Sequence, residues 1–409
     1  MAHPATRTRF VYDAPLADGV YIGLSPQRYF KQRCMGSTDW TDISRLKHGW
    51  WWKSRHNPFY REPTHPYQTY GQALHVLVLE GVAEYERLVV IEPSRSDYPA
   101  FDIENPQSLA DTIAEMKAVV GHAGYNVAAA KGYDKQRWAD TMRTCSGTQD
   151  WPCWKNIEDD FEAVAGTGLR VSASSDYEIR FLREMALDPE RPDNAEVRAL
   201  FEENADHPPL VEISIFATID GIRRRWRIDR WFPAANMDLK SLGVWSGRPL
   251  TIEAGEIIAR RRWSIQRADY DIGREVGSEF VRQGLVFGGT LEQRRYLERI
   301  VAEEPKWDWV WLVYQKPDSA KGVAPIIMPI WDHAGSGLAK AGRRKLDRAI
   351  QFYKSMVAQW GLDQPWGTIV PLHYTEEHRD RRVPQVFIPQ YAYEDDEPTG
   401  AEAYEKDET

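Results

Sequence analysis

Three carboxylates and a lysine on consecutive predicted strands are the residues of this sequence best suited to chemistry: Glu212, Asp229, Asp238 and Lys240. Asp238 and Lys240 are two residues apart, so a strand directs both side chains to one face of its sheet. Because neighbouring strands lie about 5 Å apart, the carboxylates of Glu212 and Asp229 can reach the same end of that sheet. Carboxylate oxygens are the ligands that Mg²⁺ prefers. Such a set could hold Mg²⁺, with Mn²⁺ as the alternative ion, polarise a phosphodiester and activate a water, while Lys240 orients that water or stabilises developing charge.

Each of these residues also has an ordinary structural explanation. An Asp-x-Lys triplet occurs in many unrelated chains, and acidic residues on strands often face solvent. Glu212 could simply pair with an arginine of the facing strand. His75 lies in an apolar helical pattern, so it either completes the metal shell or is a partly buried histidine satisfied by its neighbours. The prediction of a site therefore depends on the combination and order of these residues.

The strands that must position them are indicated by alternation and turn signals. Residues 211–215 alternate between apolar and polar types, as a half-buried strand does. Asp220-Gly221 is a strong hairpin signal. Residues 225–231 then return as a second strand, and residues 237–241 form a third.

The remaining elements alternate between helices and strands. A helix is predicted over 70–86, a strand over 87–91, and a long helix over 252–282 with a break near Gly273. Further helices are expected near 107–121, 133–144, 174–187, 194–204, 291–303 and 339–360, and further strands at 309–315 and 324–331. The pattern indicates an α/β (α+β) fold with a mixed central sheet flanked by helices.

The domain boundaries follow from changes in composition. Residues 1–65 are rich in aromatics and turn formers and are interpreted as an N-terminal arm or lead-in. Residues 66–392 are expected to form the main domain, with 93–208 as a mostly helical insertion or subdomain. The acidic residues 393–409 are expected to be a disordered tail.

Composition limits the classes of protein that fit. The 409 residues carry a net charge of −9, which argues against coating nucleic acid by bulk charge but allows a local basic groove. The three cysteines form no close pair, so a disulfide framework and a four-thiolate metal site are both excluded. No apolar run reaches the roughly 18 residues of a membrane span, and the first residues lack a signal-peptide core. We therefore expect a protein of the cytoplasm without a membrane partner.

Four short motifs occur in a set order along the chain. They read Gly71-Gln72-Ala73-Leu74-His75, Arg227-Ile228-Asp229, Asp238-Leu239-Lys240 and Gln266-Arg267-Ala268-Asp269-Tyr270. This order resembles the motifs of the PD-(D/E)xK nuclease superfamily. Within it, the sequence is most similar to the RecB-like group and to the exonuclease VIII (RecE) nuclease domain of phages and prophages. The resemblance spans about residues 20–360, and 93–208 match poorly.

The resemblance implies a restriction-endonuclease-like core and specific roles for the motif residues. Asp229, Asp238 and His75 would be metal ligands, and Lys240 the catalytic lysine. Glu212 matches an upstream acidic position of the catalytic set. The residues that would contact DNA are Gln266, Tyr270 and Arg227. For Gln266 and Tyr270, the alternative role is to brace the site.

The resemblance also implies an activity. The implied protein is a metal-dependent deoxyribonuclease. It would act as a 5′-to-3′ exonuclease on duplex DNA ends, in phage-type recombination within a bacterial host cell. A single-strand annealing protein and further copies of the chain would be its partners. The alternatives are an endonuclease of the same superfamily and a catalytically inactive DNA-binding or assembly protein.

Two basic runs and one aromatic run are open to more than one interpretation. Arg223-Arg224-Arg225 lies at the predicted hairpin, and Arg260-Arg261-Arg262-Trp263 lies after the core motif. Both could contact DNA, or both could be solvated faces, which is what charge runs usually are. Trp50-Trp51-Trp52 is interpreted as packing rather than as a platform for base stacking.

Overall fold

The computed structural model describes residues 12–57, 60, 66–94, 154–166, 168–201, 207–242, 250–303, 306–317 and 322–367. The chain divides into two units, Met1–Pro365 and Trp366–Thr409, and all the elements below belong to the first. The helices expected near 107–121 and 133–144 and the acidic tail lie outside the described residues.

The strands form a mixed seven-stranded sheet with the order β7-β1-β4-β5-β6-β8-β9, and a separate parallel pair, β2 and β3. Their bounds are β1 Gly19–Ile22, β2 Val89–Glu92, β3 Leu169–Ser172, β4 Val211–Ile219, β5 Ile222–Trp231, β6 Ala235–Leu242, β7 Val286–Gly288, β8 Asp308–Gln315 and β9 Ile326–Asp332. The mixed sheet with helices around it confirms the predicted fold class.

The described helices surround this sheet. Their bounds are α1 Pro26–Phe30, α2 Ser37–Leu46, α3 Gly49–Lys53, α4 Pro66–His75, α5 Val82–Leu88, α6 Trp154–Ala165, α7 Ala173–Leu187, α8 Ala195–Ala199, α9 Leu250–Arg260, α10 Trp263–Arg282, α11 Leu291–Ala302 and α12 Gly337–Trp360. A π-helical turn, Val76–Glu80, continues α4 without interruption, and Gly81, with φ 92°, ends it.

The centre of the sheet is the predicted three-stranded meander. β4 and β5 pair antiparallel from Val211–Arg230 to Ile219–Ile222, and Asp220 and Gly221 make the turn with φ of 49° and 77°. Both residue types tolerate this left-handed region, which a tight hairpin requires. β6 continues antiparallel to β5 and then pairs in parallel with β8 along its whole length.

The two faces of the sheet bury different layers. Met237, Leu239 and Leu312 lie in an apolar cluster with Leu74 of α4 and Leu182 of α7. On β6 and β8 the intervening residues face α10, as the alternation of a strand requires. Helix α4 therefore lies on one side of β6, and α10 lies on the other.

Close packing of α10 on the sheet depends on glycine. A Cβ at Gly273 would lie 2.5 Å from the Trp226 ring, and one at Gly277 would lie 2.8 Å from Ile215. The predicted break near Gly273 is therefore wrong: α10 is continuous there, and the glycine is a contact surface. The break occurs instead at Arg262, which has a left-handed φ of 58° between α9 and α10.

The described part of the predicted N-terminal arm is integrated into this unit. β1 pairs antiparallel with β4 and parallel with β7, and α2 packs against α10 and α12. Trp50 and Trp51 are buried, whereas Trp52 is exposed. The four residues of β1 are too few to show an alternation in the sequence, which is why the strand was not predicted.

Two of the three hairpin arginines, Arg224 and Arg225, are buried. Arg224 is buried in an ion pair with Asp269. Arg225 donates to the carbonyls of Tyr29, Phe30 and Gln32. For Arg224 and Arg225 both interpretations were wrong, because these buried charges tie α10 and the N-terminal segment to β5. None of the described helices is both long and apolar enough to cross a membrane.

Candidate metal centre

The centre lies where two strands of the sheet separate. The β5–β6 ladder consists of Arg230–Met237 and Trp231–Asn236, after which the strands diverge. Asp229 and Asp238 are the first residues beyond this ladder. In the gap, the Asp229 carboxylate accepts the main-chain N–H of Leu239 at 2.8 Å. The Asp229 side chain thus accepts the hydrogen bond that a main-chain carbonyl of a neighbouring strand would otherwise accept. As a result, β5 and β6 are not paired at the position of the two acids.

Glu212 extends the row of acids onto a third strand. It lies between the registered pairs Val211–Arg230 and Ile213–Ile228, in line with Asp229. Its φ of 54° is left-handed, which is uncommon for a residue with a side chain and marks a local distortion of β4. Strain of this kind is retained where the surrounding structure enforces it, often at functional sites.

His75, the last residue of α4, brings a nitrogen ligand to these acids. Its Nε2 lies 3.3 Å from Asp229 Oδ2 and 3.3 Å from the carbonyl oxygen of Leu239. Its Nδ1 lies 3.5 Å from Glu212 Oε1. One ligand atom from each of His75, Glu212 and Asp229 lies within 4.8 Å of the other two, so this cluster could hold a metal ion.

Arg227 fixes the other oxygen of Glu212. Its Nε donates to Glu212 Oε2, and a terminal nitrogen donates to the carbonyl of Leu24 at 2.9 Å. Glu212 therefore pairs with an arginine of the facing strand, the purely structural role considered above. It also contacts His75.

The pKa values show that the charges of the cluster act strongly on one another. Burial alone would lower the pKa of His75, but the charges of Asp229 and Glu212 outweigh it and raise that pKa to about 9. Burial raises the pKa of Asp229 to about 7 despite the attraction of His75, and the charges of Asp238 and Glu212 add to the increase. Burial would also raise the pKa of Glu212, yet the hydrogen bond from His75 and the charge of Arg227 leave it lowered.

Asp238 and Lys240 lie beside the cluster, on the α10 side of β6. Lys240 Nζ contacts both carboxylate oxygens of Asp238, at 2.8 and 2.7 Å. Gln266, in the first turn of α10, donates to Asp238 Oδ1 at 3.0 Å. The Lys240 ammonium also lies 5.4 Å from the ring of Trp263, the first residue of that helix. Asp238 is not part of the three-residue cluster, so its role as a metal ligand stays a prediction.

The residues expected to contact DNA all have contacts within the protein. Gln266 holds Asp238, and Arg227 holds Glu212. Tyr270 is buried and packs edge-on against Trp309, with ring centroids 5.6 Å apart. This geometry favours bracing over DNA contact for Gln266 and Tyr270.

Three features near the centre were not predicted from the sequence. The carbonyl of Leu239 faces His75, a main-chain contact that no residue pattern encodes. Trp263 covers Lys240, although its run was noted only for its arginines. Glu80, at the end of the π-helical turn, has its pKa raised by burial and by the charge of Glu212. It lines an open cavity of about 410 Å³ that also borders Val211, the neighbour of Glu212.

The donor set fits a hard divalent cation. Two carboxylates and one imidazole converge, a third carboxylate and a main-chain carbonyl are adjacent, and oxygen ligands predominate. Without a cation, burial disfavours the ionised form of Asp229, and the charges of Asp238 and Glu212 disfavour it further, so the pKa of Asp229 is raised. A bound cation would offset the repulsion.

The sequence was also compared with known proteins. The search against models of protein families gives no match, and the search among curated proteins gives none either.

Proposed function

We propose that this protein is a metal-dependent deoxyribonuclease that hydrolyses DNA phosphodiester bonds at the His75, Glu212 and Asp229 centre. The observation that carries the proposal is the position of the Asp238–Lys240 pair directly beside that cluster, at the opening between β5 and β6. Hydrolysis of a phosphodiester needs neutralisation of the phosphate and an activated water, and this combination supplies residues for both.

The residues divide into two functional groups. His75, Glu212 and Asp229 would hold Mg²⁺ or Mn²⁺, with Asp238 as a further ligand once Lys240 moves aside. A cation bound there would polarise the phosphate and lower the pKa of a coordinated water. Lys240 is a flexible ammonium, one-fifth exposed, so it can orient a water or donate to the phosphate oxygens. The hydrogen bond from Gln266 would then keep Asp238 in place.

The test compares two matched pairs of substitutions. We expect Asp238→Asn and Lys240→Ala each to lower the release of nucleotides from linear duplex DNA with Mg²⁺ by at least about a hundredfold, the usual scale for losing a charge-stabilising group. Asp220→Asn and Lys354→Ala are the controls, because these residues form an exposed ion pair with an Nζ–Oδ2 distance of 3.2 Å. If the site variants digest DNA as well as the parent, the proposal is wrong.

The mode of cleavage is a finer proposal and rests on the resemblance alone. We infer a 5′-to-3′ exonuclease acting on duplex ends, beside a single-strand annealing protein in phage-type recombination. A closed circular duplex has no ends, so the parent should leave it intact while digesting the same molecule once linearised. Cutting of the closed circle would identify an endonuclease of the same superfamily instead.

A further inference from the structure

The N-terminal half of α12 carries an unusual concentration of positive charge. Its exposed basic residues, here called the α12 basic face, are Lys340, Arg343, Arg344, Lys345 and Arg348. Asp347 is the single acidic residue of the helix. In a chain with a net charge of −9, such a face is a local exception.

Most of these basic side chains form no ion pair within the described part of the protein. Arg343 pairs with Asp347 at 3.2 Å. The other four side chains of the face have no acidic partner among the described residues. By contrast, Arg224, Arg227 and Arg267 each form ion pairs that fix the fold.

The positions of these basic residues destabilise the helix that carries them. Lys340 lies in the first turn, at the positive end of the helix dipole, where an acidic residue would be stabilising and none is present. Lys340 and Arg344, and Arg344 and Arg348, are four residues apart and repel each other along one stripe. A charge pattern that weakens its own helix is explained if an anionic partner compensates it.

Helix packing connects α12 with the helix that carries two residues beside the metal centre. A Cβ at Gly342 would lie 2.1 Å from the carbonyl oxygen of Ser264, so α12 touches the first turn of α10. That same turn carries Trp263, which covers Lys240, and Gln266, which holds Asp238. Lys340 and Arg344 lie two residues to either side of Gly342, about 200° around the helix, so they are on the outer side of α12 and face away from α10. The α12 basic face is therefore one helix removed from the site.

We propose that the α12 basic face binds the phosphate backbone of the nucleic acid that the site cleaves, an inference that rests on the proposed function. From Lys340 to Arg348 the helix extends roughly 12 Å, a length over which a duplex carries about seven phosphates. Contacts of this kind position a duplex without reading its sequence. They supply the local basic surface that an acidic protein needs to hold a polyanion.

The test measures binding rather than cleavage. Anisotropy of a fluorescein-labelled duplex, without added divalent metal, gives the affinity of the full chain over a range of salt concentrations. We expect Lys340→Gln combined with Arg344→Gln to weaken binding by at least about tenfold and to make the slope of log K against log salt shallower by about 2, one for each lost phosphate contact. The melting temperature should stay the same or rise, because repulsion within the helix is removed.

The matched control is Arg294→Gln combined with Arg295→Gln, which removes the same charge from exposed positions of α11. Equal weakening by the control would mean that bulk charge, not the α12 basic face, attracts DNA, and would overturn the inference. So would unchanged affinity of the α12 variant, or binding of the parent to phosphatidylserine vesicles but not to duplex. A parent that binds no duplex and cleaves none would instead refute the proposed function, so the two failures are distinguishable.

Discussion

His75 stands between two carboxylates, and its proton competes with a metal ion for the same position. Both ring nitrogens face acids in the structure, at 3.5 Å from Glu212 and 3.3 Å from Asp229. A histidine in such surroundings is an imidazolium at neutral pH, since its pKa is raised to about 9. Binding of a cation to this cluster therefore has to release a proton.

The first prediction is that metal affinity rises with pH. Between pH 7.5 and 9, above the pKa of about 7 at which Asp229 loses its own proton, the loss of one proton from His75 should increase the affinity for Mn²⁺ by up to about tenfold per pH unit. Calorimetry in two buffers of different ionisation enthalpy would show about one proton released at pH 7.5. His75→Gln has no such proton, so its weaker binding should change far less with pH. Affinity of the parent that is independent of pH would contradict this account.

Arg227 acts on the centre through Glu212 and is a positioning residue. It holds one carboxylate oxygen and leaves the other toward His75. The second prediction is that Arg227→Met lowers Mn²⁺ affinity by about 10- to 100-fold, the usual effect of losing a group that orients a metal ligand. Arg223→Met is the control, because Arg223 lies on the same strand as Arg227 but pairs with Asp18, away from the cluster. Equal losses in both variants, measured by calorimetry, would point to general destabilisation.

At the scale of elements, the contact between α10 and α12 holds the first turn of α10, which carries Gln266 and Trp263, in place. The third prediction is that Gly342→Ala destabilises the protein by about 1–3 kcal/mol, the usual cost of overpacking, because its methyl group would meet the main chain of Ser264. The shift of α10 should also lower nuclease activity, since Gln266 lies in the same turn. Urea unfolding and duplex digestion measure the two effects.

Gly255→Ala provides the control for that substitution. Gly255 lies on α9, and a methyl group on its Cα would have no described neighbour within 4 Å, so alanine there should stabilise the helix by about 0.5–1 kcal/mol. If Gly342→Ala were as stable as Gly255→Ala, the close crossing of α10 and α12 would not exist in solution.

The elements also show what the sequence could and could not predict. The meander, α10 and β8 are long and periodic, so their positions followed from the pattern. The separation of β5 from β6 could not be predicted, because it depends on which partner the main chain of Leu239 finds, and that partner is the Asp229 side chain. The helix break at Arg262 was missed because arginine gives no signal for a left-handed residue.

At the scale of the whole molecule, the long-range contacts were the least predictable. His75 and Glu212 are separated by more than a hundred residues, and only the motif order suggested that they meet. The sequence around Arg224 did not indicate that this residue would be buried, because its ion-pair partner Asp269 lies on a distant helix. Conversely, the α12 basic face was overlooked because the sequence does not show that α12 packs against α10.

The fourth prediction concerns the stability of the whole chain as a function of pH. The pKa of Asp229 is raised from 3.8 to about 7, and that of His75 from 6.5 to about 9. In both cases the folded protein holds its proton more tightly than the unfolded chain. The stability from these groups is therefore present at low pH, falls through pH 4–7 for Asp229, and falls through pH 6.5–9 for His75.

A bound cation should reverse this trend. An ion that binds only the folded protein stabilises it by about 2.7 kcal/mol at a hundredfold excess over its Kd, and that affinity rises with pH. Without metal, the parent should lose stability to urea from pH 6 to 9; with Mn²⁺ it should gain stability over the same range. The Asp229→Asn, His75→Gln double variant lacks both titrating groups, so it should show neither the loss nor the gain. If Mn²⁺ stabilised this double variant as much as the parent at pH 9, the ion would bind elsewhere, and the cluster of His75, Glu212 and Asp229 would not be the metal centre.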